Sequence, residues 1–71
     1  MHRYLIIIEA TPTGYSAYSP DLSGCIAAGA SQADVARAMR EASELHLEGL
    51  RDAGLPIPVG ATSATYVEVA A

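Results

Sequence analysis

The side chains able to do chemistry in this chain are few: one thiol at Cys25, two imidazoles at His2 and His46, and three neighbouring carboxylates at Glu41, Glu44 and Glu48. An activated thiolate needs a base or a cation beside it, and the ten residues on either side of Cys25 include no Lys, Arg or His. Cys25 therefore reads as a small apolar filler at the start of a strand. His46 falls in the middle of a helical stretch, with acidic neighbours one turn away and no Ser, Asp or Cys set beside it by spacing. Two histidines without a third ligand do not define a zinc site, and one cysteine has no partner for a redox or metal pair. The three glutamates sit among other charges at helical spacing, which describes a solvated face. Gly14, Gly24 and Gly29 match neither a dinucleotide fingerprint nor a phosphate loop and read as turn residues. The expectation is a protein that is no enzyme and holds no metal and no cofactor.

Contact, rather than catalysis, is what the aromatic residues suggest. Tyr15 and Tyr18 lie in the segment GYSAYSPDLSGC, residues 14–25, and tyrosine supplies large contact area at small entropy cost. Strand alternation puts Tyr15 and Tyr18 on opposite faces, so each face of the sheet carries one ring. With Pro20, Asp21 and Leu22 of the turn that follows, they are the candidate partner-interface residues.

Composition narrows the partner. The chain has 71 residues, a formal charge of −4, no Lys, and four Arg (Arg3, Arg37, Arg40, Arg51) that do not cluster. A phosphate backbone needs a basic patch, so direct nucleic-acid binding is not expected, whereas a basic protein suits an acidic surface. The strongest apolar run, LIII at residues 5–8, is far short of the ~20 residues of a membrane span, and the Glu9 that follows it does not suit a secretory signal. A cytoplasmic location is expected, in keeping with a single Cys that cannot form an intrachain disulfide. Area scaling gives a compact surface of about 4,200 Å² against roughly 10,600 Å² for the open chain, so the core is thin. With neither Trp nor Phe to fill it, a homo-oligomer, dimer or tetramer, is expected to add burial.

The elements that would position these residues follow from pattern. Residues 3–9 (RYLIIIE) read as strand β1, the turn TPTG leads to a second strand in YSAYS, and PDLSG is a turn anchored by Leu22. Residues 25–29 (CIAAG) form a third strand. Ser31 then opens a helix over residues 32–53 with a capping box, its hydroxyl on the N3 amide and the Asp34 carboxylate reaching back. Val35, Met39, Ala42, Leu45, Leu50 and Ala53 supply the apolar stripe, Arg37 to Glu41 and Arg40 to Glu44 the exposed ion pairs, and Gly54 the C′ position. Two prolines make residues 55–60 (LPIPVG) a stiff connector. TYVEV, residues 65–69, alternates and reads as a fourth strand beside β1. The order βββαβ makes one α+β domain over residues 1–71: a three-stranded antiparallel sheet plus a returning strand, a helix across one face, and the other face left for water or another chain.

These segments together resemble a known family. GYSAYSPDLSGCIAAGAS, the helix stretch EASELHLEGL and the exit GLPIPV are similar, in order and spacing, to the N-terminal domain of HicB-type antitoxins. The resemblance implies a partially RNase H-like domain without catalytic carboxylates. It further implies that the domain binds HicA, a small basic ribonuclease toxin, and inhibits it sterically by covering its RNA-facing surface and active-site His. On this reading Gly14 and Gly24 shape turns while Tyr15, Pro20, Asp21, Leu22 and Cys25 build the signature loop. No C-terminal DNA-binding domain of the kind many members carry is expected within this chain. The competing reading is a stand-alone oligomeric scaffold or small-molecule-binding module.

Overall fold

The computed structural model describes residues 2–71. Three strands form one antiparallel sheet in the order β1-β2-β3, with β1 at Ile7–Thr11, β2 at Gly14–Ser19 and β3 at Leu22–Gly29, followed by the helix α1 at Gln32–Asp52. Pro12 and Thr13 turn the first hairpin; Pro20 and Asp21 turn the second. Gly14 and Gly29 belong to strands rather than to turns.

Strand β1 begins later than residues 3–9 suggested. Continuing its register beyond Ile7↔Tyr18 would bring Leu5 opposite Pro20, which has no amide N–H to donate, so the ladder stops at Ile7. Strand β3 begins earlier, at Leu22 rather than Cys25, because the Leu22↔Ser19 pair is separated from Ile26↔Tyr18 by a bulge. Ser23, Gly24 and Cys25 are the extra residues, and Gly24 takes the left-handed backbone (φ 79°) that lets the chain step out and return. The bulge turns both Leu22 and Cys25 toward the helix.

The core lies between sheet and helix: Ala17, Leu22, Cys25, Val35 and Met39, bordered by Tyr4, Ile6, Ile8, Tyr15, Ala27, Ala42 and Leu47. The helix packs chiefly on β3, less on β2 and least on β1. Its start is as expected on one side: the Ser31 hydroxyl accepts from the Asp34 amide at 3.1 Å. The reciprocal half of the box is absent, since the Asp34 carboxylate instead accepts from Arg37 at 2.8 Å. Aspartate is one methylene shorter than the glutamate that completes such a box. Arg37 thus pairs backward rather than with Glu41, while Arg40 and Glu44 approach to 3.9 Å. The helix ends in a Schellman motif, with the Gly54 amide on the Arg51 carbonyl at 3.0 Å and the Leu55 amide on the Leu50 carbonyl at 2.9 Å. Leu45, expected in the apolar stripe, is 69% exposed. The sheet lies toward the other flank of the helix, where Leu47 takes the core contact instead.

The fourth strand is a correction. Among the described residues, 65–69 pair with no other strand, and they are exposed throughout. Among the described residues, side-chain hydrogen bonds tie the chain beyond α1 to the domain at Pro58 and Thr62. The Tyr4 hydroxyl donates to the Pro58 carbonyl at 2.6 Å, and the Thr62 amide and hydroxyl donate to the Asp21 carboxylate at 3.1 and 2.8 Å.

Candidate partner-binding surface

Because the helix covers one face of the sheet, the side chains that alternate away from it are left open. The register Ile7↔Tyr18 and Tyr18↔Ile26 aligns three apolar residues in one row across all three strands of that face. Ile26 is 72% exposed and Tyr18 41%. The next row, Glu9, Ser16 and Ala28, is polar and small. Round the β3 edge the apolar surface continues into an open groove of about 380 Å³ lined by Gly24, Cys25, Ile26, Ala42, Leu45 and His46.

The five candidate residues do not form one patch. Tyr18 stands on the open face and Pro20 is exposed at the second turn. Tyr15 is half-buried on the helix side, packed against the core. Asp21 is half-buried and occupied with Thr62. Leu22 is 1% exposed, so it anchors the turn from inside. Ile7 and Ile26, which flank Tyr18, escaped sequence reasoning, because simple pairing across the second turn would set Ser23 opposite Tyr18 and only the bulge brings Ile26 there.

The residues considered for chemistry are placed as follows. Cys25 is buried, its Sγ 3.8 Å from the Ser43 hydroxyl, which itself donates to the Met39 carbonyl at 2.7 Å. His46 lines the same groove as Cys25, but among the described residues no hydrogen bond joins imidazole to thiol. His2 stacks on Tyr4 with ring centroids 6.2 Å apart. No group of three His, Cys, Asp or Glu side chains converges as a metal site among the described residues, and no helix there is long and apolar enough to cross a membrane. An open apolar row beside Glu9, on a sheet backed by one helix, has the character of a surface that can bind another protein.

Comparison with known proteins supplies the family. Residues 4–70 match the family described as HicB_like antitoxin of bacterial toxin-antitoxin system. The chain belongs to the HicB-like antitoxin family. Among solved structures, this HicB-like chain is similar to one from a "HicA3 and HicB3 toxin-antitoxin complex", with 40% identity and a TM-score of 0.68 over 78% of its length. It spans 64% of the length of that chain. No match was found among the curated proteins. The sheet-and-helix fold is shared with that HicB3-containing structure.

Proposed function

We propose that this chain binds a small basic HicA-type ribonuclease toxin and neutralises it by lying over the toxin's RNA-facing surface and active-site His. The family match over residues 4–70 carries the reading. Two physical features support it. The formal charge of −4, with no Lys, favours encounter with a basic protein. The row Ile7, Tyr18, Ile26 supplies an apolar centre rimmed by Glu9 and Ser16, the layout of a contact patch with a polar border. Tyr18 is the candidate anchor, and Pro20 lies exposed at the adjoining turn. Inhibition of this kind needs no catalytic group on the antitoxin, only occupancy.

The test is co-expression with a HicA-type toxin, followed by affinity capture. Rescued growth and a co-purifying complex are expected. Tyr18→Ala and Ile26→Asp are expected to weaken binding at least tenfold while leaving the thermal midpoint of the free chain within a few degrees, because both side chains face solvent. A chain that captures no such toxin and leaves growth arrested would rule the reading out.

A further inference from the structure

Next to Tyr18 and the exposed Pro20, the turn between β2 and β3 carries a carboxylate that is already taken. Asp21 is the one acidic residue of the segment 14–25. Its Oδ2 accepts from the Thr62 amide at 3.1 Å and its Oδ1 from the Thr62 hydroxyl at 2.8 Å. Both donors are neutral. Among the described residues the ion pairs use Asp34 and Glu44, so Asp21 is held without a cation.

Letting go of Thr62 disturbs little else. Residues 61–71 are exposed, and among the described residues no hydrogen bond other than these two ties them to the domain. Upstream, the Tyr4 hydroxyl holds the Pro58 carbonyl and Gly60 lies against the Arg3 carbonyl, so release frees the chain only from residue 61 onward. Such an opening gives up no apolar burial, which makes it one of the low-energy local openings of a folded chain. A guanidinium, by contrast, offers a carboxylate two parallel charged donors, each roughly twice as strong as a neutral one. Where a basic surface meets this turn, Thr62 is the weaker of two claimants.

We propose that Thr62 is a built-in competitor for the partner: it occupies Asp21 in the free chain, and an arginine of a basic protein docking against Tyr18 and Pro20 takes the carboxylate over and releases residues 61–71. The device rests on the toxin-binding reading and adds a regulated step to it. Coupling of this kind is reciprocal. Whatever holds Thr62 on Asp21 weakens the partner, and the bound partner loosens Thr62 by the same factor. Only the open fraction of the chain presents a free carboxylate, so a clasp closed about four-fifths of the time lowers the apparent affinity about fivefold.

The two halves of the clasp give opposite results under competition, whereas a clasp that merely supports the turn would give the same result from either side. Titration calorimetry against a HicA-type toxin reads the affinities. Thr62→Ala removes the hydroxyl donor and Thr62→Pro the amide N–H as well; they are expected to bind the toxin progressively tighter, up to about fivefold. Asp21→Asn is expected to bind it several-fold more weakly with helical circular dichroism unchanged, because the carboxylate that the arginine takes is gone. In the wild-type chain, hydrogen exchange at the Thr62 amide is expected to speed up when the toxin binds. Thr62 variants that bind no tighter, an Asp21→Asn chain that binds as well as wild type, or a Thr62 amide protected in the complex would each overturn the competition while leaving toxin binding intact. A wild-type chain that binds no toxin would overturn the toxin-binding reading and the competition together.

Discussion

At the residue scale, single side chains in the signature segment have separate duties that their proximity in sequence conceals. Leu22 and Tyr18 are four positions apart, yet one is sealed in the core and the other stands in solvent. Leu22→Ala is expected to cost about 2–5 kcal/mol in urea unfolding, as large-to-small changes in a packed core do. Tyr18→Ala should cost far less and register in partner binding instead. Ser19 is buried, and its hydroxyl has no hydrogen-bond partner among the described residues. Because a desolvated hydroxyl without a partner is destabilising, Ser19→Ala is expected to raise stability by about 1 kcal/mol, which the same urea titration would reveal. Asp21 does not idle in a turn: it reaches across the sequence to Thr62. Asp21→Ala is expected to speed hydrogen exchange at the Thr62 amide several-fold while the amides of the buried strands keep their protection.

At the element scale, the helix was the most readable feature and the strands the least. Ser31, the absence of proline through residues 32–53, and Gly54 mark the helix by local chemistry alone, and its observed bounds differ from the expected ones by one residue. Removing the cap by Ser31→Ala is expected to cost about 0.5–2 kcal/mol, seen as a lower thermal midpoint by circular dichroism. Strand ends are set by what lies opposite, which no local pattern states. Pro20 shortens β1 from across the hairpin, and a bulge lengthens β3. Gly24→Ala tests the bulge: an L-residue forced to φ near 79° is expected to lose about 1–2 kcal/mol.

At the scale of the whole molecule, the core is small, with Ala17, Leu22, Cys25, Val35 and Met39 as its buried residues among those described, and the chain from residue 61 on is exposed. The sequence by itself determined the α+β class, the two hairpins, the helix and its caps, and the family, because these follow from turn residues, periodicity and a motif read in order. It also showed that nothing resembling an activated nucleophile is set beside Cys25 in the chain. Only the tertiary structure decided that Ile7, Tyr18 and Ile26 form one row, since that alignment depends on register across two hairpins and a bulge. Only the tertiary structure, too, separated the fourth strand from its edge. TYVEV has the pattern of a strand, but a strand exists through hydrogen bonds to a neighbour, and contacts at Tyr4, Arg3 and Asp21 direct this one away from its own sheet.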